Sequence, residues 1–160
     1  MIKMADITHG TWIKDGKAVD TVYQSGVKVY GRNLIKGGAH QTILASTSNY
    51  NYNVLYTDLI PNQTYTLSMV ASLTGSGNSL VSVCVYGNSF DVPALFIQNM
   101  VADGTTRKWQ FTVPTNGTFL LIYAGKQGAT SGIEADFKQL KLETGATATP
   151  YSIAPEDILN

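Results

Sequence analysis

Few side chains in this 160-residue chain can do covalent chemistry, and they are scattered. The single cysteine, Cys84, and the two histidines, His9 and His40, could form a nucleophile and base. Cys84, however, stands inside Val81-Ser82-Val83-Cys84-Val85-Tyr86, an alternating run in which a small thiol packs as an apolar group. One cysteine also excludes an internal disulfide and a thiolate zinc site. His9 and His40 read as loop residues with no Ser-Asp arrangement beside them, so a catalytic triad is unsupported. Glu134 and Asp136 are two apart and would share one face of a strand, as paired carboxylates in acid–base catalysis do, but a solvated sheet edge accounts for them better. Gly75-Ser76-Gly77 lacks the lysine and helix that make a glycine loop a phosphate cradle.

Binding chemistry is better represented. In Asn49-Tyr50-Asn51-Tyr52-Asn53-Val54-Leu55-Tyr56 amide and phenol groups alternate. An aromatic ring offers a flat apolar face to C–H groups and an amide pairs with hydroxyls, which suits a neutral glycan. Tyr86 falls opposite the Val81-Val83-Val85 side of its strand, just before the Gly87-Asn88 turn, and Gln127 lies in the loop Gly125-Lys126-Gln127-Gly128. The expected site is a shallow, uncharged groove. Tyr50, Tyr52, Tyr56 and Tyr86 would be its stacking platforms, and Asn51, Asn88 and Gln127 its hydrogen-bonding groups. The same tyrosines could instead cover the core or meet another subunit.

Composition narrows the partners. Eleven basic residues balance eleven acidic ones, and residues 41–100 contain no Lys or Arg at all, only Asp58 and Asp91. Such a surface cannot neutralise a run of phosphates or an anionic bilayer, so neither nucleic acid nor membrane is an expected partner. The N-terminal Met1-Ile2-Lys3-Met4-Ala5-Asp6 has no apolar run of the kind a signal peptide carries. Thr, Ser, Asn and Gly supply 18, 11, 10 and 15 residues, while apolar residues make up 44%. That is too apolar for a disordered chain and too rich in hydroxyl and amide groups for a helix bundle.

The elements that must position these groups read as strands. Alternating or β-rich runs fall at residues 64–72, 80–86, 94–101, 108–113, 118–124 and 133–143, separated by Pro61-Asn62, Gly75-Ser76-Gly77-Asn78, Gly87-Asn88, Asp103-Gly104, Pro114-Thr115-Asn116-Gly117 and residues 125–132. The expected fold is all-β, an antiparallel β-sandwich, with Tyr65, Leu67, Val81, Val83, Trp109, Phe111, Leu140 and Leu142 in one core. Residues 10–31, with hairpin pairs Asp15-Gly16 and Ser25-Gly26, predict a small β-meander. We divide the chain into this meander, residues 1–32, as a docking or assembly extension, and the sandwich, residues 33–160. Only Pro155-Glu156-Asp157-Ile158-Leu159 reads as helical.

From residue 33 to 157 the order of elements resembles the jelly-roll carbohydrate-binding modules found in glycanases and in tail and baseplate proteins of bacteriophages. The resemblance rests on Leu59-Ile60-Pro61-Asn62-Gln63-Thr64-Tyr65-Thr66-Leu67-Ser68, on Trp109-Gln110-Phe111-Thr112-Val113 and on Phe137-Lys138-Gln139-Leu140-Lys141-Leu142-Glu143. The phage flavour comes from Gly26-Val27-Lys28-Val29-Tyr30-Gly31-Arg32-Asn33-Leu34-Ile35 and from residues 142–157, Leu142-Glu143-Thr144-Gly145 through Pro150-Tyr151 to Pro155-Glu156-Asp157. Modules of this kind often hold calcium on an Asp pair in the last strand; here those positions are Lys138 and Gln139, and an ammonium would repel the cation. Jelly-roll glucanases use a Glu-x-Asp-x-x-Glu strand, but Glu134-Ala135-Asp136-Phe137-Lys138-Gln139 ends on an amide that cannot supply the proton.

The resemblance implies a non-catalytic protein of a phage tail or baseplate, without a cofactor, made in the bacterial host cytoplasm and carried in the virion. Its partners would be host cell-wall polysaccharide, other phage tail or virion proteins, and copies of itself, with a trimer favoured. The alternative is a purely architectural virion protein, a decoration or assembly component that binds no glycan.

Overall fold

The computed structural model describes residues 6–8 and 10–159. Two four-stranded antiparallel sheets face each other. The first contains β7 (Tyr52–Tyr56), β9 (Leu80–Tyr86), β10 (Phe96–Val101) and β12 (Phe119–Tyr123) in the order β10-β9-β12-β7. The second contains β6 (His40–Ile43), β8 (Thr64–Thr74), β11 (Asp103–Thr112) and β13 (Glu134–Thr144) in the order β11-β8-β13-β6. Ahead of them come β1 (Asp6–Thr8), β2 (Thr11–Lys14) and β3 (Lys17–Ala18), which form one small sheet, and the hairpin β4 (Thr21–Gln24) with β5 (Val27–Gly31). The fold is the expected all-β antiparallel sandwich.

Alternation explains the core. Val81, Val83 and Val85 of β9, with Leu120 and Ile122 of β12, meet Tyr65, Leu67 and Met69 of β8 and Phe137, Leu140 and Leu142 of β13, all buried. Each such side chain contributes on the order of 1.5–3 kcal/mol by leaving water. Seven of the eight expected core residues are buried there; Trp109 is half-buried. It points to the core side, opposite Leu67, but β11 is an edge strand, so its ring stacks on Phe111 at 4.2 Å and on Phe96 of the facing sheet at 5.5 Å where the two edges meet.

Several expectations are corrected. β6 and β7 stand where no strand was expected, and His40 opens β6 instead of lying in a loop. His9 lies outside the described residues. Asp103-Gly104 is not a turn between strands: the chain crosses from β10 to β11 through Ala102 alone, and residues 103–106 form an irregularity within β11. The meander is two separate sheets, although both hairpin turns form as expected, with positive φ at Asp15 (53°), Gly16 (75°), Ser25 (51°) and Gly26 (78°). The C-terminal helix is a single 3-10 turn, Pro155–Asp157.

The N-terminal strands do not float free. A buried polar clasp ties them to the C-terminal segment and to β13. Asn33 saturates its side chain there: Nδ2 donates to the carbonyls of Leu140 and Ser152, and Oδ1 accepts from the N–H groups of Ile35 and Leu142. Lys141 and Glu143, both fully buried, share Thr149: Lys141 Nζ donates to Thr149 Oγ1 (2.9 Å), Pro150 O (2.7 Å) and Ser152 Oγ (3.1 Å). Glu143 accepts from Thr149 N (3.0 Å) and Thr149 Oγ1 (2.8 Å), with Lys28 Nζ 3.4 Å away. Tyr30, within the expected docking or assembly extension, is buried under this clasp, whereas Tyr23 and Val27 stay exposed.

Candidate functional site

The outer side of the first sheet is not the bare hydroxyl-rich platform that alternation alone implies. Cys84 and Tyr86 of β9 meet Leu121 and Tyr123 of β12 there in a second apolar cluster, with Ala94 and Phe119 packed against it. The strand register brings these rows together, since Leu121 pairs with Cys84 and Phe119 with Tyr86. Over this floor fold the segment between β9 and β10 and the loop after β12.

Where the two loops part, a cleft of about 620 Å³ opens, lined by Tyr50, Tyr52, Tyr86, Phe90, Tyr123 and Gln127 together with Asp91, Val92 and Pro93. Its floor is wired. The phenols of Tyr86 and Tyr123 share a hydrogen bond of 2.8 Å, and the Gln127 amide nitrogen donates to the oxygens of both. Burial, with the Tyr123 hydrogen bond and the nearby Tyr123 and Cys84 adding to it and Gln127 opposing, raises the Tyr86 phenol well above its ordinary range, so it remains a neutral hydroxyl. The Gln127 loop is held by its own backbone N–H donating to Ser82 Oγ at 2.8 Å.

The walls are aromatic and open. Phe90 packs edge-on against Tyr52 (5.8 Å), Tyr86 (5.6 Å) and Phe119 (5.1 Å), and Tyr52 also leans on Tyr123 at 5.5 Å. Tyr50 remains 61% exposed and Phe90 38%. Among the described residues no lysine or arginine lines the cleft, and Asp91 is its one charged group. Rings fixed by one another, with an amide and a carboxylate at the rim, can stack on apolar faces and pair with hydroxyls without charge attraction.

Of the sequence-derived site residues, Tyr50, Tyr52, Tyr86 and Gln127 line this cleft. The other three lie elsewhere. Asn51 is used internally, its backbone N–H donating to Thr130 Oγ1 and its Nδ2 to the Leu44 carbonyl. Tyr56 is half-buried against the core and lines a different hollow with Leu34 and Asp58. Asn88 is exposed in the turn after β9 and does not line the cleft. Phe90, Asp91 and Tyr123 were not anticipated. For Tyr123 a signal existed, because pairing β12 with β9 puts its side on the Tyr86 face; for Phe90, in an irregular loop, there was none.

The remaining candidates for chemistry do not line this cleft. Burial pushes the Cys84 thiol up to about 12, where it is inert as a nucleophile at neutral pH. Asp136 pairs with His40 and Thr42 on the exposed edge of the second sheet, its carboxyl held below the usual range by the His40 hydrogen bond. Glu134 is exposed. Among the described residues no group of three or more His, Cys, Asp or Glu side chains could hold a metal ion.

No protein-family model and no curated protein matches the chain. Among solved structures it is similar to a CBM4 structure, at 17% identity and a TM-score of 0.48, over 79% of this chain and 76% of that one. It is also similar to a mutant of a carbohydrate-binding module of family 29, at 10% identity and a TM-score of 0.46, over 96% of this chain and 94% of that one. A third similar structure belongs to the Bacillus endospore appendages, a family of disulfide-linked pili, at 14% identity and a TM-score of 0.34, over 78% of this chain and 100% of that one.

Proposed function

We propose that the chain is a non-catalytic carbohydrate-binding protein whose ligand, a neutral glycan, lies in the cleft lined by Tyr50, Tyr52, Phe90 and Gln127. The observation that carries this reading is the convergence of aromatic side chains from four separate segments on one cleft with no basic residue in its lining among the described residues. Tyr50 and Phe90 supply the stacking faces, and Asp91 and Gln127 the polar rim. The finer reading, in which the protein belongs to a bacteriophage tail or baseplate, is made in the host cytoplasm and presents this cleft to host cell-wall polysaccharide, is supported by residues 26–35 and 142–157. These two segments are clasped together through Lys28, Glu143 and Thr149. Trimeric self-assembly would raise the avidity of weak sites.

The test is a glycan array followed by titration of the neutral glycans that bind. Dissociation constants are expected in the micromolar to millimolar range, on the order of −4 to −8 kcal/mol. Tyr50→Ala and Tyr52→Ala should each weaken binding about tenfold, the size of a lost aromatic contact, while Thr115→Ala, exposed and outside the cleft lining, should not. Folded tyrosine variants that bind as tightly as the unmodified chain would remove the cleft from consideration.

A second reading has its own observation. β10 is an edge strand, and Val92, Leu95, Phe96, Ile97 and Val101 around it are exposed without a charge among them. Uncharged apolar edges pair with other chains, which favours an architectural component that binds protein and no glycan. Glycan titration beside light scattering separates the two: glycan affinity supports the first, and assembly without glycan affinity the second.

A further inference from the structure

The outer face of the second sheet carries a site that the aromatic cleft does not use. Lys108 of β11, Ser68 of β8 and Lys141 of β13 are direct cross-strand partners, so they form one row across three strands. The next row is Thr106, Val70 and Lys138. Lys138 and Lys141 are three apart and would ordinarily face opposite sides of a strand. A bulge brings them to one side: residues 139 and 140 together oppose Met69, with Gln139 in the left-handed region at φ 53°.

This face is hollow. A cleft of about 370 Å³ is lined by Ser68, Thr106, Lys108, Gln139, Thr149 and Tyr151, with Lys141 beneath them and the C-terminal segment as one wall. Two of its lining residues, Ser68 and Tyr151, carry hydroxyl oxygens that are buried and have no hydrogen-bond partner. An unpaired buried hydroxyl costs on the order of 1–3 kcal/mol, so both are held ready for a partner. Lys141 has no proton to spare, since all three go to Thr149, Pro150 and Ser152; it acts on the cleft through its charge. Lys108 is exposed and free to turn inward. The carboxylates nearby are engaged: Glu143 by Thr149, Lys28 and, at 3.9 Å, Lys141; Asp136 by His40; and Asp157 by the backbone N–H of Gly37, which leaves Lys108 and Lys138 as the uncompensated charges. Donors in excess and positive charge in excess define what fits.

We propose that this cleft binds a single oxyanion group, a carboxylate, phosphate or sulfate ester, through Lys108 and the hydroxyls of Ser68 and Tyr151, in the field of Lys138 and Lys141. Such a group accepts from both hydroxyls and asks for no acceptor in return. It reaches the site either as a small free anion or as the acidic substituent of a polymer. The proposal stands independently of the aromatic cleft.

Calorimetric titration of the full chain with inorganic phosphate and, separately, with tetragalacturonate tests it. Affinity should fall about fivefold or more between 50 and 500 mM NaCl, as charge pairing is screened. Lys108→Gln, an exposed position, should weaken binding about fivefold, Ser68→Ala should weaken it severalfold, and Tyr52→Ala should leave it unchanged. Phosphate binding alone identifies a free anion as ligand, and tetragalacturonate binding alone identifies a polymer substituent; either supports the site. If neither binds, or if binding is unaffected by both Lys108→Gln and Ser68→Ala in variants that melt as the unmodified chain does, the proposal is wrong.

Discussion

On the outer side of the β10-β9-β12-β7 sheet, Cys84, Tyr86, Leu121 and Tyr123 carry no charge, and loops fold down onto them until they are as dry as the core. On the outer side of the β11-β8-β13-β6 sheet, Ser68, Lys108, Lys138, Lys141 and Glu143 face the same way, and the C-terminal segment covers only part of the row. The contrast shows what covering a sheet requires. An aromatic floor can be covered by almost any apolar loop, because the hydrophobic effect has no direction. A charged floor can be covered only by a segment that meets each charge with a named partner, as Thr149, Pro150 and Ser152 do for Lys141. The first arrangement leaves an adaptable, neutral cleft; the second fixes the tail in one register and leaves a basic one.

Breaking the charged cover should have the largest effect. Glu143→Ala strips Lys141 and Lys28 of their shared carboxylate and leaves a buried ammonium, so a loss of about 3–5 kcal/mol is expected, read as the shift in urea midpoint. The N-terminal hairpin and the C-terminal segment should also gain protease sensitivity. Glu143→Ala as stable as the unmodified chain would mean the clasp contributes nothing. Where the two sheet edges meet, Trp109→Ala should cost about 2 kcal/mol, below the ~3–5 of a fully buried aromatic, because its ring is half-exposed. A loss of that larger size would place Trp109 inside the core.

The clasp also has a pH signature that the aromatic face lacks. Burial pulls Lys141 down to about 8, with Glu143 opposing and Lys28 adding to the fall. Between that value and the ordinary lysine value near 10.4, the unfolded chain holds more protons than the folded one, so stability rises with pH. It should begin to rise near pH 8, by about 1 kcal/mol over the first full unit. From about pH 8.5 the raised Cys84 thiol acts with the opposite sign, since the unfolded chain loses its thiol proton first, and this offsets part of the Lys141 rise. Denaturation between pH 7 and 9 should therefore show a rise that disappears in Lys141→Met. A profile in the unmodified chain that runs parallel to that of Lys141→Met would mean that Lys141 is not depressed.

The two faces also differ in how far residue order alone reveals them. β8, β9 and β13 were legible because alternation is strong where one side is buried; β6 and β7 are short edge strands whose polar residues show no such contrast. In the aromatic cleft, Tyr50, Tyr52, Tyr86 and Gln127 could be gathered from residue type and strand side. Tyr123 was hidden in Phe119-Leu120-Leu121-Ile122-Tyr123, which is apolar on both faces because both are buried. Phe90 sits in a loop without periodicity. The basic row was illegible for a stricter reason: the bulge at Gln139 breaks the two-residue period, and period counting therefore sends Lys138 and Lys141 to opposite sides. Backbone irregularities are decided by tertiary contacts, which no local pattern reports.

The smallest expected effect is the sharpest discriminator between the faces. A neutral glycan in the aromatic cleft would be held by stacking and by hydrogen bonds to neutral groups, with Asp91 the one charge in the lining among the described residues. Its dissociation constant should change by less than about twofold between 50 and 500 mM NaCl, because screening acts only on charge pairs. The same salt series weakens oxyanion binding at the Lys108 row, where each contact lies in a field of ammonium groups. Both curves come from one preparation, so a salt-induced change in folding would move them together. Two flat curves would remove the electrostatic character of the second face. A steep glycan curve would instead mean that the ligand lies beside lysine, away from Tyr50 and Phe90, and the assignment of the aromatic cleft would fall.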